Sequence, residues 1–179
     1  MTSRRGALRA PLFVAAVLVV LTLSKCGMGG GSGEPSGPTT ARVTHVVDGD
    51  TIDVRLADGG EDTVRYIGID TPETVKPDTP VQCGGPKAHT VNERLVGGRT
   101  VTLRFDAERR DIYHRLLAYV YVPGEGPGGK PLFVNAELAR RGLARTLTIP
   151  PNDSFARLFD RLVDEAGAAG RGLWGRCVL

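Results

Sequence analysis

Five short β-patterned runs, a helix between the third and fourth, and further helices at the end predict an α+β domain. A five-stranded Greek-key β-barrel of the OB type with three α-helices fits this order, and such barrels commonly bind oligonucleotides.

The folded domain is not expected to begin at Met1. Arg4, Arg5 and Arg9 precede an apolar run from Ala10 to about Ser24, rich in Val and Leu. That is a basic n-region and an h-region of signal-peptide length, too short to span a bilayer comfortably. Residues 1–26 therefore read as a signal peptide or lipoprotein-type leader, and the protein is expected to be exported. Leu23-Ser24-Lys25-Cys26 is similar to a bacterial lipoprotein cleavage box, although Lys25 stands where that box has a small residue. Three outcomes stay open: lipidation of Cys26 with attachment to the outer face of the membrane, plain secretion, or a retained anchor. Residues 27–40 (GMGGGSGEPSGPTT) have the composition of a flexible tether, which leaves 41–179 for the domain.

Val43 to Val47 reads as the first strand, broken at Asp48-Gly49. Thr51 to Leu56 alternates, with Ile52, Val54 and Leu56 on one face. Asp-Gly between two such runs signals a hairpin, because both central residues of a type I′ turn need φ > 0. Asp58-Gly59-Gly60 makes a second turn, and a third strand from Thr63 to Ile69 delivers Asp70, so the three form a meander. Pro86 opens a helix carrying Ala88, Val91 and Leu95 on one face, and Gly97-Gly98 closes it. Thr100 to Phe105 and Leu116 to Val122 supply the last two strands, followed by a loop from Gly124 to Gly129. Phe133 to Arg141 reads as a short helix capped at Asn135 and stopped by Gly142. Asn152 or Asp153 is expected to cap the final helix, whose Phe155, Leu158, Phe159, Leu162, Val163 and Ala166 make one apolar stripe.

The net charge of +3 carries no argument for nucleic acid. Residues 1–40 hold four of the 23 Lys and Arg and one of the 20 Asp and Glu, which leaves 19 of each in the domain. Any basic surface must therefore be local. Cys83 and Cys177, the remaining pair in an exported chain, are expected to form a disulfide. In the chain-entropy picture, closing so long a loop contributes about 4–5 kcal/mol.

Two acidic stretches carry the chemistry. Asp48-Gly49-Asp50-Thr51 sits at one strand end and Asp70-Thr71-Pro72-Glu73 at another. Pro72 holds Thr71 extended, so the Thr71 carbonyl and the Asp70 carboxylate can face one side. Clustered carboxylate and carbonyl oxygens suit a hard cation such as Ca²⁺. Arg65 and Arg115 lie in β-patterned segments, and a guanidinium fork matches phosphate oxygens. Metal ligands, a carboxylate base and two guanidinium groups are the parts needed for attack of water on a phosphodiester. His45 and His89 have no Cys or His partner at metal-ligand spacing and read as ordinary strand and helix residues, while Trp174 reads as a core anchor.

Val47-Asp48-Gly49-Asp50-Thr51, Arg65 through Asp70-Thr71-Pro72-Glu73-Thr74, and Asp111-x-Tyr113-x-Arg115-x-Leu117-Ala118-Tyr119 resemble the staphylococcal nuclease family, as do Val134-Asn135 and Gly142-Leu143-Ala144. The resemblance runs from about Ala41 to Trp174. It implies a Ca²⁺-dependent endonuclease acting on DNA and RNA and leaving 3′-phosphates and 5′-hydroxyls. Asp50 and Asp70 would ligate Ca²⁺ by carboxylate and Thr71 by its carbonyl, with Asp48 behind them. Glu73 would act as general base, Arg65 and Arg115 would bind the scissile phosphate, and Tyr113 would contact the substrate near a terminal phosphate. A monomer is expected. The alternative is a non-catalytic OB-fold nucleic-acid-binding module, but a degenerate member would lose ligands first, and all five key side chains are present.

Three positions depart from the family pattern. Arg145-Thr146-Leu147-Thr148-Ile149 replaces a stretch bearing base-stacking tyrosines, Lys76 is the one lysine between Val75 and Gln82, and His114 stands in place of a glycine. If that position needs φ > 0, His114 bears strain.

Overall fold

The computed structural model describes residues 37–74 and 80–177. The expected leader with Cys26, most of the tether, and Lys76 lie outside the described residues.

Strands β1 (Thr39–Val46), β2 (Thr51–Leu56) and β3 (Glu61–Tyr66) form the expected antiparallel meander. β4 (Gly68–Asp70) follows after a break, and α1 (Gly85–Val96) runs to the Gly97 stop with proline in its first turn. β5 (Thr100–Arg104) pairs with the far side of β1. β6 (Leu116–Val122) lies antiparallel to β5 and parallel to β3, which closes five strands into a barrel. β7 (Leu132–Phe133) extends β6 and leads into α2 (Val134–Arg140), β8 (Arg145–Leu147) and α3 (Ala156–Ala168). The expected closed α+β barrel with three helices is present, and a single helical turn, α4 (Leu173–Arg176), is added at the end.

The barrel closes because every strand presents one apolar face inward. Val43, Ile52, Val54, Val64, Tyr66, Val101, Leu103, Ala118 and Val120 are all buried at 2% exposure or less. The predicted stripe of α3 covers one end: Phe159, Val163 and Ala166 are buried, and Phe155 packs edge-on against Tyr119 with ring centroids 4.7 Å apart. Trp174 is half-buried against this core.

Several local expectations are corrected. β1 starts at Thr39, inside the expected tether, because Thr39 and Thr40 pair with Leu103 and Thr102. The β1–β2 turn is not type I′, since neither Asp48 nor Gly49 has a positive φ. Glycine is required there for space: a Cβ on Gly49 would lie 2.6 Å from Thr71 Oγ1 and 2.8 Å from the Ala88 Cβ. The third strand does not run through to Ile69. It breaks at Ile67; at Gly68, with φ 83° and Phe159 lying against the glycine, the chain resumes as β4, which leaves the barrel to pair with β8.

Neither expected polar cap forms. Asn135 sits inside α2, fully buried, where its Oδ1 accepts the Val120 N–H at 3.0 Å and its Nδ2 donates to the Ile67 carbonyl at 2.9 Å. It thereby pairs backbone groups at the barrel rim that no strand partner reaches. Asn152 bonds both backbone groups of Glu108, at 2.7 and 2.8 Å, and Asp153 offers α3 its carbonyl rather than its side chain. The expected disulfide between Cys83 and Cys177 is present, with Cα atoms 5.8 Å apart.

Replacing Asn135 strands these buried groups, each costing about 1–3 kcal/mol. Asn135→Ala should therefore lower the urea-derived unfolding free energy by roughly 3 kcal/mol. A change below about 0.5 kcal/mol, the size of an ordinary surface substitution, would contradict this role.

Candidate active site

Asp50, at the start of β2, is only 3% exposed. A buried carboxylate must be matched by donors, and these come from two segments. Its Oδ2 accepts the Thr71 N–H at 2.6 Å, and its Oδ1 faces the Arg65 guanidinium. Arg65 extends from β3 and reaches Asp70 with its other Nη group at 2.7 Å, so one guanidinium bridges both acidic stretches. Burial opposes the Arg65 charge, but Asp50, then Asp70 and Asp48, outweigh it and raise its pKa.

Asp48 lies behind this pair and accepts the Asp50 N–H at 2.9 Å. Its carboxyl is pushed up to about 6, first by burial and then by the neighbouring Asp50 charge. Asn92, fully buried on α1, holds the Asp48 carbonyl at 3.0 Å and accepts the Tyr66 hydroxyl at 3.0 Å, tying helix, turn and barrel together. Partial burial raises the Asp70 carboxyl too, with Arg65 opposing and Asp50 reinforcing the shift.

The donor set is all oxygen, and burial, with the Asp50 charge reinforcing it, raises the Asp48 and Asp70 carboxyls. That chemistry fits a hard divalent cation. Among the described residues no three His, Cys, Asp or Glu side chains converge as a metal-holding group. Arg65 is the cation that Asp50 and Asp70 share here.

Arg115 reaches the site from the loop before β6. Asp111 holds it: Oδ2 accepts Arg115 Nε at 2.7 Å, while Oδ1 accepts the backbone N–H groups of Tyr113 and Arg115 at 2.9 and 3.0 Å. This tight loop forces His114 to φ 66°, the one non-glycine positive φ among the described residues. The strain anticipated for His114 is therefore present. Tyr113 is 72% exposed, and the Arg115 guanidinium lies 5.4 Å from its ring centre.

Arg65, Tyr113 and Arg115 line one groove of about 570 Å³. Its rim carries Ile112, Leu147 and Ile149, all exposed, with Ile112 at 85% and Ile149 at 61%. Asp70 and Thr71 line a neighbouring cavity of about 270 Å³ together with Arg145. Glu73 follows Thr71 on the same extended segment, and its Oε1 accepts the Thr74 N–H at 2.9 Å. Asn92 was not singled out from sequence, and Asp111 and the aliphatic rim were given no role there, Asp111 standing only in a quoted motif. For Asp111 the spacing to Arg115 was the available signal, whereas Asn92 and the rim depend on tertiary contacts.

The family described as "Staphylococcal nuclease homologue" matches residues 63–176. The chain is similar to the thermonuclease of Staphylococcus intermedius, 42% identical over 134 residues that cover 75% of each chain. It is similar also to the thermonuclease of Staphylococcus hyicus, 39% identical over 135 residues with the same coverage. Endonuclease YncB of Bacillus subtilis is 40% identical over 134 residues, which are 74% of this chain and 60% of that protein. The acidic pair, the two arginines and the barrel that carries them thus occur in a chain that belongs to the staphylococcal nuclease family.

Proposed function

We propose that this chain is an exported, Ca²⁺-dependent nuclease that hydrolyses DNA and RNA to products with 3′-phosphate ends. The observation that carries the reading is the pair of guanidinium groups, Arg65 and Arg115, lining one groove beside the Asp50–Asp70 pair. Thermonuclease and endonuclease relatives support the reaction class. The Cys83–Cys177 bridge supports an oxidising destination outside the cytosol.

In this scheme Asp50, Asp70 and the Thr71 carbonyl would hold Ca²⁺, and Asp48 fixes the Asp50 backbone from behind. Bound there, Ca²⁺ would supply positive charge next to the reacting phosphate and lower the pKa of nearby water. Arg65, which lines the groove beside these carboxylates, would offer its fork to a phosphate oxygen. Arg115, held at its Nε edge by Asp111, offers its remaining N–H groups to the same phosphate. Glu73 takes one proton of the attacking water as the water oxygen bonds to phosphorus, the P–O5′ bond breaks, and the leaving O5′ takes a proton from solvent, so the fragments carry a 3′-phosphate and a 5′-hydroxyl. Tyr113 contacts the substrate beside Arg115. Ile112, Leu147 and Ile149 offer aliphatic surface to a base, in place of aromatic stacking worth about 1–3 kcal/mol.

Three outcomes test this on denatured DNA. Cleavage with Ca²⁺ and none with a chelator is expected, and a folded protein inert in Ca²⁺ would refute the enzyme. Glu73→Gln and Arg115→Ala should each lower kcat by about a hundredfold or more with the fold intact, and wild-type rates in either would refute its role. Asp111→Ala should lower kcat by about tenfold to a hundredfold through misplacement of Arg115, and an unchanged kcat would remove Asp111 from the account.

A further inference from the structure

Glu73 belongs to no strand or helix; it lies on the segment between β4 and α1. Its backbone is instead doubly bonded to Gln82. The Glu73 N–H donates to Gln82 Oε1 at 3.1 Å, and the Gln82 N–H donates to the Glu73 carbonyl at 3.0 Å. The next residue is Cys83, bridged to Cys177 at the end of α4. That turn is anchored in its own right: Leu173 is buried, and its N–H donates to the Gly142 carbonyl at 2.8 Å.

Packing follows the same path. A Cβ on Gly85 would stand 2.9 Å from the Pro72 carbonyl and 3.1 Å from the Glu73 carbonyl, so the acidic segment rests directly on the start of α1. Leu173 lies against Gly84 on the other side. Cys83 and Cys177 also line the 270 Å³ cavity that Asp70 and Thr71 border. A covalent path thus runs from the C-terminal turn, anchored by the buried Leu173, through the bridge to the residue that grips the Glu73 backbone.

We propose that the Cys83–Cys177 disulfide is a positioning device for Glu73, holding Gln82 and, through it, the Glu73 backbone in the place from which the carboxylate acts as base. The inference rests on the reading of Glu73 as proton acceptor. A base must be placed within a fraction of an ångström to act, and small displacements are expensive in rate. The bridge also spans 94 residues and constrains the unfolded chain, so the test must separate placement from stability.

The full chain is compared with its Cys83→Ser/Cys177→Ser variant and with wild type treated with dithiothreitol. The reagent supplies two electrons and two protons to give two thiols and is itself oxidised to its cyclic disulfide. Assays on denatured DNA with Ca²⁺ are run where circular dichroism shows each form folded. Opening the bridge should lower kcat by about tenfold to a hundredfold while KM stays within about twofold. Dithiothreitol should have no effect on the double variant. Amide exchange should quicken at Glu73 and Gln82 and stay unchanged at Val54 and Val120 in the barrel. Gln82→Ala, with the bridge intact, should reproduce the kcat loss, which keeps the test open if the bridge variant fails to fold. Unchanged kcat and unchanged Glu73 exchange in the folded open forms would overturn the proposal, as would wild-type kcat in Gln82→Ala. If Glu73→Gln alone proved fully active, the reading of Glu73 would fail, and the exchange data would still decide whether the bridge holds that segment.

Discussion

The buried carboxylate of Asp50 is the constraint around which this molecule is arranged. An ionised group at 3% exposure is tolerable only with charge and hydrogen bonds supplied from close by. Arg65 brings the charge from β3, and the Thr71 amide brings a hydrogen bond from beyond β4. Meeting that demand draws together two acidic stretches that lie apart in sequence. Gly49 serves the same convergence, because the Thr71 side chain and Ala88 occupy the space its Cβ would need.

The barrel and the loops divide the work. Three barrel strands, β1, β2 and β3, together with α1, fix Asp48, Asp50 and Arg65 through a ladder, a buried Asn92 and a buried Tyr66. Arg115 depends on a loop and needs its own support. Asp111 gathers three hydrogen bonds from Tyr113 and Arg115, and the Arg110 guanidinium bonds the His114 carbonyl. The left-handed conformation of His114 costs about 1–2 kcal/mol, and it persists because these contacts over-determine the loop. Backbone strain therefore sits at the residue adjoining a proposed phosphate-binding arginine.

Much of this was legible in the sequence, for identifiable reasons. The meander, β6 and the α3 stripe follow from periodicity, which reports which face is buried. The bridge followed from the pairing of two cysteines in a domain expected to be exported. The errors share a cause: residues read by local rules were serving distant partners. Asp48-Gly49 has the composition of a type I′ turn, yet its glycine is there for Thr71 and Ala88. Asn135 and Asn152 are good caps by type, yet each satisfies backbone groups far away in sequence. The third strand stops at Tyr66 and resumes as β4 from Gly68, where Phe159, from the last long helix, occupies the space a Cβ would need. The aliphatic rim of the groove was likewise hidden, since Ile112, Leu147 and Ile149 meet only in the fold.

The central claim is that Asp50 and Asp70, joined here by Arg65, are two halves of one cation site. Calorimetric titration of Ca²⁺ into the folded chain, alongside Asp70→Ala, tests it most directly. The account predicts uptake of a single ion by the wild type and none by Asp70→Ala under the same conditions. A folded wild type that takes up no Ca²⁺, or a variant that binds it as well, would contradict the account.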